Sequence, residues 1–299
     1  MGTKPSTVTE RTERAAKTGV LTLSDLKITS WKKLISRLSN VQSVKTISLD
    51  HNALSKSIPR SFMTLHLWKT LVSVDLSHNN ITCACVLGSG GASHASPDEC
   101  AAASSATVSQ TSEATSGLET LNLSGNALSV LPANLAARFP SLKRIVCKDN
   151  RRPLNGGSLA ACLRQSKSME SVNLSNSGLT SVVLLKDEKS MLPSMKELIL
   201  SSNNFKGTFS LTETQIQKSV FPSLRRVVLD APKDTLSEID PNLYTNAPDL
   251  NSLSLVGHGN EEKLMEKLRS TAGYQRWREN HVDQINRQLQ STGEAKLMS

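Results

Sequence analysis

A short phrase of alternating apolar and polar residues recurs along the chain. Leu, Val or Ile, occasionally replaced by Met or Phe, fills its first, fourth, sixth and eleventh positions, and Asn its ninth. Residues 118–128 match without a substitution, and residues 44–54, 71–81 and 195–205 match closely. Alternation places the fourth and sixth side chains on one face of a short strand. The pattern therefore predicts a repeated unit of a strand followed by a turn.

The phrase begins nine times, at positions 18, 44, 71, 118, 142, 169, 195, 224 and 250. Successive starts are 24 to 29 residues apart, except for one step of 47 residues from 71 to 118. A period in the twenties with this phrase is the signature of a leucine-rich repeat. Such units must stack, because none can bury its apolar edge alone. We therefore expect an α/β fold, a curved leucine-rich repeat solenoid over residues 18–260 with parallel strands on its concave face.

The ninth position lies where the chain turns, so an Asn amide there can satisfy buried backbone groups. Five repeats keep this residue and predict a structural row of amides: Asn52, Asn79, Asn126, Asn150 and Asn203. Four repeats carry another residue at the same position: Leu26, Ser177, Pro232 and His258. The first, sixth and eighth repeats are accordingly expected to be less regular.

Helical segments are predicted at both ends of the solenoid. Residues 1–17 would form a tail and a capping helix near 8–17, started by a capping box of Thr7 and Glu10. Residues 261–299 would form a helical cap over 261–290, divided in two at Gly273, and a tail.

The long step contains a segment rich in Ser, Ala, Gly and Thr, which predicts a disordered insertion at 84–116. Cys83, Cys85, Cys100 and His94 raise the possibility of a zinc site. The spacing does not fit a zinc finger, so ordinary thiols are the favoured interpretation.

Side chains at alternate strand positions should form an exposed concave surface about 40 Å long. They are small, polar or β-branched, which suits a protein partner better than a small molecule. His51 and His78 could act as a metal site or a pH switch, but two histidines without a third ligand make a weak site. The residues that we expect to contact a partner are Asp50, His51, Asp75, His78, Asn122, Lys143, Arg144, Lys148, Asn173, Lys196 and Arg226.

The formal net charge of +9 brings nucleic acid into consideration. Lys143, Arg144 and Lys148 form a basic patch, which Glu170 can neutralise only in part. No aromatic residue is interleaved with this patch, so bases would have no stacking platform. An acidic protein partner is therefore favoured over specific nucleic-acid recognition.

The N-terminal sequence MGTKPS matches the N-myristoylation pattern, with Gly2 as the acceptor and Ser6 four residues later. One acyl chain binds a membrane weakly, so a second signal is needed. Residues 1–37 hold eight Lys or Arg against three Asp or Glu and could supply it. The polar N-terminus and the five cysteines, an odd number, favour a reducing, cytoplasmic location.

Two stretches resemble the leucine-rich repeat-containing protein 57 family. Residues 15–29, AAKTGVLTLSDLKIT, are similar to that family's entry into the first repeat. Residues 267–281, KLRSTAGYQRWRENH, are similar to its terminal helix with a Gly-Tyr pair. The resemblance implies an intracellular repeat protein, N-myristoylated at Gly2 and without known enzymatic activity. The Ser/Ala-rich insertion departs from that family's pattern.

The sequence thus predicts a monomeric, non-catalytic interaction scaffold, without a cofactor, that is tethered peripherally to a cytoplasmic membrane face. The alternative is a soluble regulatory or adaptor subunit of a phosphatase or ubiquitin ligase complex. The chain has no phosphate-binding loop, nucleophile elbow or metal motif that would indicate an enzyme.

Overall fold

The computed structural model describes residues 8–41, 43–88, 117–163, 166–185, 191–212, 218–231 and 236–292, with side chains described as far as residue 283. The strands are β1 Val20–Thr22, β2 Thr46–Ser48, β3 Ser55–Ser57, β4 Ser73–Asp75, β5 Asn80–Cys83, β6 Thr120–Asn122, β7 Arg144–Val146, β8 Ser171–Asn173, β9 Glu197–Ile199, β10 Gly207–Phe209, β11 Arg226–Val228, β12 Leu236–Ile239 and β13 Ser252–Ser254. The α-helices are α1 Val8–Thr18, α2 Trp31–Leu38, α3 Arg60–Met63, α4 Leu135–Arg138, α5 Gly156–Leu163, α6 Leu243–Asn246, α7 Glu261–Arg269 and α8 Ala272–Thr292. Two 3₁₀ segments are His66–Lys69 and Cys85–Leu87.

The predicted sheet is confirmed. Nine strands pair in parallel in the order β1-β2-β4-β6-β7-β8-β9-β11-β13, one strand from each predicted repeat. The register aligns equivalent residues, so that Leu21 lies beside Ile47 and Ile47 beside Val74. The middle residue of each of the first eight strands has no solvent exposure, whereas the residues on either side of it face the concave surface. Strand alternation therefore separates one continuous core from one continuous surface.

Two further pairs of strands were not predicted from the sequence. β3 pairs with β5, and β10 pairs with β12, each as a separate two-stranded parallel sheet. These short strands follow the turn of their repeats, where stacking of neighbouring repeats brings two extended segments side by side.

The predicted start of the insertion, at residue 84 of 84–116, is too early. Residues 84–87 are buried, and Cys85–Leu87 form a 3₁₀ turn that packs as part of the solenoid. Cys83 and Cys85 each take part in a disulfide bond, so the expectation of ordinary thiols here is wrong, and the cysteine count does not support a reducing location. The rest of the predicted insertion, from residue 89 to 116, lies outside the described residues, as do His94 and Cys100.

Helices pack near both ends of the solenoid. At the N-terminal end α1 packs on β1 and buries Ala15 completely, while the Arg11 guanidinium donates to the backbone carbonyl of Thr22 at 3.1 Å. At the other end Leu264 and Leu268 of α7 are each 1% exposed. The two C-terminal helices meet at residues 270–271, just before the predicted division at Gly273. Thr7 of the predicted capping box lies outside the described residues.

The turn asparagines join neighbouring repeats. Asn126 has no solvent exposure; its side-chain oxygen accepts the N–H of Ile81 at 3.1 Å, and its amide nitrogen donates to the carbonyls of Leu76 and Leu123, each at 3.0 Å. Two of these three partners, Ile81 and Leu76, belong to the preceding repeat. The side chain therefore supplies hydrogen bonds that the buried turn of that repeat would otherwise lack.

Repeats without Asn show how this role is replaced. The Ser177 hydroxyl donates to the Cys147 carbonyl at 2.9 Å, and Nε2 of His258 lies 2.9 Å from the Leu229 carbonyl. Leu26 lies in the first repeat, which has no earlier turn to bond. Its N–H instead donates to the side-chain oxygen of Asn52 at 3.1 Å. The first and sixth repeats are thus regular despite their substitutions, and Pro232 lies outside the described residues.

Candidate functional site

The candidate site is the concave surface of the nine-stranded sheet, formed by the outward residues of each strand and of the turn that follows. At its N-terminal end it carries the acidic and histidine residues of the first three repeats, including Asp50, His51, Asp75 and His78. This part is defined here as the acidic end. The predicted residues Asp50, His51, Asp75, His78 and Asn122 lie together on three adjacent repeats.

The two histidine rings of the acidic end stack on each other, with centroids 4.3 Å apart and planes 19° from parallel. His51 and His78 both have φ of 51°, in the left-handed region, because their backbone forms the turn before the Asn. The equivalent residue of the next repeat is Gly125, where a Cβ atom would lie 2.6 Å from Nδ1 of His78. The glycine therefore leaves room for the His78 ring, and the stack ends there.

Hydrogen bonds fix the charge of Asp50. Partial burial opposes ionisation, but hydroxyls of Ser24 and Ser48 and the Nδ1 atom of His51 bond to the carboxylate, and the pKa of Asp50 falls to about 2. The same contact, 2.9 Å long, raises the pKa of His51 above 6.5. The pair thus presents a carboxylate and a readily protonated ring at the rim of the surface.

Among the described residues, no group of three or more His, Cys, Asp or Glu side chains is placed to hold a metal ion. One carboxylate oxygen of Asp75 accepts from the backbone N–H of Ser77, and the other accepts from the side-chain amide of Asn122 at 3.0 Å. The acidic end is therefore a hydrogen-bonded polar surface rather than a preformed metal centre.

Ion pairs between neighbouring strands differ from the sequence-based expectation. Lys143 pairs with Glu119 at 2.9 Å, so Lys143 is not the unmatched cation that we expected. Glu170 pairs with Lys196 at 2.7 Å, and this hydrogen bond lowers the pKa of Glu170. Glu119 was not among the predicted site residues, although it lies just before its strand, as Lys143 and Glu170 do in the next two repeats. Arg226 pairs with Glu197 at 2.8 Å.

The middle of the surface is basic. β7 and the residues after it direct Arg144, Val146 and Lys148 outward, one after another along the strand. Arg144 is exposed and has no carboxylate partner among the described residues, whereas Lys148 lies 3.7 Å from Asp149. We call Arg144, Val146 and Lys148 the basic centre. The predicted residue Asn173 lies on the adjacent strand, beside Val146.

Towards the C-terminal end the outward residues become apolar. Ile199, Val228 and Val256 occupy the outward positions here; Val256 is 65% exposed, whereas Val228 is buried at 4%. The predicted contact residues therefore fall into two groups, one at the acidic end and one around the basic centre. Gly2 lies outside the described residues. No helix in the described part of the chain is both long and apolar enough to cross a bilayer.

Comparisons with known proteins agree with this architecture. The family profile described as Leucine Rich Repeat matches residues 117–137, a span that contains the repeat without substitutions. No curated protein matches the chain significantly in sequence. The resemblance to the protein 57 family therefore stays a prediction.

Solved structures with a similar fold include three leucine-rich repeat proteins. The leucine-rich repeat domain of APL1B is 16% identical with a TM-score of 0.55, over 86% of this chain and 61% of that one. The corresponding domain of APL1 is 16% identical with a TM-score of 0.50, over 80% and 49% of the two chains. TLR13, solved as a complex with ssRNA13, is 21% identical with a TM-score of 0.51, over 80% and 32%.

The chain spans less than two thirds of the length of each of these structures. At such identities the likeness concerns the fold and not the ligand. The stacked nine-stranded sheet and the matched repeat together establish that the chain has a leucine-rich repeat fold.

Proposed function

We propose that the chain is a non-catalytic scaffold that binds a protein partner on its concave surface. The basic centre is the main contact. One observation carries the proposal: Arg144, Val146 and Lys148 project from the middle of a sheet supported on both sides by other repeats. These side chains contribute nothing to the core, and a rigid array holds them at fixed spacing. A preorganised surface binds without the cost of ordering it first.

An acidic partner suits this geometry. Arg144 forms no ion pair among the described residues, although Glu170 lies near enough to feel its charge, so an incoming carboxylate can form a bidentate contact with Arg144. Val146 lies between the two cations and offers apolar contact. Asn122 and Asn173 flank Val146, and the side-chain NH2 group of Asn173 can donate a hydrogen bond to a peptide backbone.

Single-stranded nucleic acid is the competing ligand, since TLR13 was solved with ssRNA13. Non-specific binding of single-stranded nucleic acid relies on aromatic side chains that stack on the bases. The basic centre and the residues beside it include no Phe, Tyr or Trp. This composition favours a protein partner.

The test is affinity capture from source cells, quantified by mass spectrometry, with the wild type and the double variant R144E/K148E. The variant should lose the specific partner, and the partner bound by the wild type should dissociate increasingly as salt rises, because rim charges steer association. K206E is the matched control, since Lys206 is exposed on the turn after Asn203, outside the basic centre. Equal recovery of every protein by the wild type and the double variant would exclude the basic centre as the contact.

The chain is further proposed to be tethered to a cytoplasmic membrane face by a myristoyl group on Gly2. The MGTKPS motif supports this. The basic residues of 1–37 would supply the second, electrostatic signal.

Metabolic labelling with a myristate analogue tests the tether. The wild type should be labelled and sediment with membranes, and G2A should be unlabelled and stay in the supernatant. A wild type without label would favour the alternative, an adaptor subunit of a phosphatase or ubiquitin ligase complex that carries no lipid. Capture of such an enzyme through the basic centre would then support that alternative directly.

A further inference from the structure

The two edge strands of the nine-stranded sheet are protected differently. β1 is covered by α1, and Arg11 bonds to its carbonyl groups at Thr22 and Ser24. At the opposite edge the main contacts of α7 are with β12 and those of α8 are with α6. Among the described strands, β13 pairs only with β11.

Backbone N–H groups of β13 and its turn point away from the sheet and have no hydrogen-bond partner among the described residues. Just after β11, the N–H of Leu229 donates to the carbonyl of Ser254 in β13 at 2.9 Å. The equivalent N–H groups on β13 and its turn belong to Leu255 and Gly257, and no strand lies beside them in the described part of the chain. An uncovered edge of this kind is a template for a further strand.

The core is also incompletely closed at this edge. The residue in the middle of β13, Leu253, is only half-buried. Its eight equivalents are all at 0% exposure: Leu21, Ile47, Val74, Leu121, Ile145, Val172, Leu198 and Val227. An added strand would therefore find an apolar contact for its core-facing side chain.

The sequence of this edge lacks the usual protection against pairing. Soluble proteins place Lys, Pro or inward-pointing charges on exposed edge strands. Residues 250–257 are LNSLSLVG, with no charge and no proline, and Val256 is 65% exposed. Along this one edge lie outward N–H groups, the half-buried side chain of Leu253 and the exposed side chain of Val256.

We propose that β13 is a second docking site, which binds an extended segment of another polypeptide as a tenth strand, with aliphatic residues at alternate positions. Such strand addition takes affinity from main-chain hydrogen bonds and specificity from alternate side chains. A second copy of this chain is a poorer occupant, because stable dimers bury about 1,200–2,000 Å² and two short edge strands would meet along one line only. Strand addition lies outside the concave-surface function proposed above.

The probe is a synthetic peptide with the sequence of residues 194–203, SMKELILSSN, which already has the spacing of a strand in this sheet. Titration into the ¹⁵N-labelled protein should shift the amide signals of Leu253, Leu255 and Gly257. Saturating peptide should slow their hydrogen exchange about tenfold or more. A scrambled peptide should do neither.

Two variants with a matched control locate the contact. V256K places a charge on the exposed edge and should weaken peptide binding about tenfold, which corresponds to about 1.4 kcal/mol. L253P removes one outward N–H and should abolish binding; circular dichroism establishes that it folds. V20K is the control, because Val20 is 47% exposed on the covered edge strand β1 and should leave affinity unchanged.

Three results would overturn the proposal. One is the absence of shifts at the β13 amides while the wild type is folded. Another is an equal loss of affinity in V256K and V20K. The third is a dimer in analytical ultracentrifugation that V256K dissociates, which would make a second copy the occupant of this edge.

Discussion

Single residues in the turns determine how one repeat is fastened to the next. Asn126 satisfies groups on two repeats at once, and its position is fixed by the backbone of both. Ser177 and His258 take over part of that role with different atoms. The turn therefore selects for a buried donor that can reach back to the preceding repeat, and Asn adds an acceptor as well.

Replacing Asn126 by Ala should destabilise the protein by about 2–4 kcal/mol, because a buried N–H and two buried carbonyls lose their partner. Urea unfolding followed by circular dichroism measures this loss. Asn204→Ala is the control, since Asn204 is exposed, and should change stability by about 0.5 kcal/mol or less. Equal effects of the two substitutions would mean that the turn amide is not essential.

The contact between Asp50 and His51 predicts a pH dependence. The folded-state pKa of His51 is raised, so its contribution to stability is present below its ordinary value of 6.5 and is lost as pH rises through the folded pKa. The pKa of Asp50 is lowered from 3.8 to about 2, so its contribution is present above 3.8 and is lost as pH falls towards 2. The pair therefore stabilises the fold most between about pH 3.8 and pH 6.5.

Asp50→Asn should lower the pKa of His51, because the ring loses its carboxylate partner. Titration of the imidazole signals by NMR measures the change. Asp249→Asn, in an exposed position near the other end of the solenoid, should leave the His51 titration unaltered. A His51 titration that is insensitive to Asp50→Asn would contradict the hydrogen bond.

At the scale of elements, the solenoid tolerates a 47-residue step because β4 and β6 still pair directly in register. The ends of the step, near residues 88 and 117, are anchored by buried residues on both sides, including Leu87 and Leu118. The intervening sequence is rich in Ser and Ala and offers few side chains to a core.

Replacing residues 89–116 with a short Gly/Ser linker should leave the melting temperature within a few degrees of the wild type, since loop length changes stability only weakly. Differential scanning calorimetry tests this. Replacing residues 84–87 with the same linker is the comparison, and it should destabilise strongly because these residues are buried. A large loss of stability from the first replacement would show that 89–116 contribute to the core.

At the scale of the whole molecule, the ends of the stack differ in how well they are closed. Leu198 lies in the seventh strand of the sheet with neighbours on both sides, whereas Leu253 lies on the open edge. The free energy of unfolding should follow this difference, because each repeat is stabilised by its interfaces with its neighbours.

Leu198→Ala should cost about 2–5 kcal/mol, the range for a fully buried leucine, and Leu253→Ala less than half as much. Urea unfolding of both variants under identical conditions gives the comparison. Similar losses would mean that the C-terminal edge is as tightly packed as the interior, which would also remove the apolar contact proposed for a tenth strand.

The sequence alone determined the architecture, because the leucine period and the strand alternation are local and recur nine times. It also determined which side chains face the concave surface, since that follows from strand alternation. The buried turn amides followed from the need to satisfy buried backbone groups.

Only the tertiary structure decided the partners of individual charges and the state of the two edges. Lys143 has possible carboxylate neighbours in both adjacent repeats, and three-dimensional packing selected Glu119. The stacking of His51 on His78 depends on the left-handed backbone of both turns and on the space above Gly125. Coverage of β1 and exposure of β13 depend on where the terminal helices pack, which no repeat encodes because each repeat specifies only contacts with its neighbours.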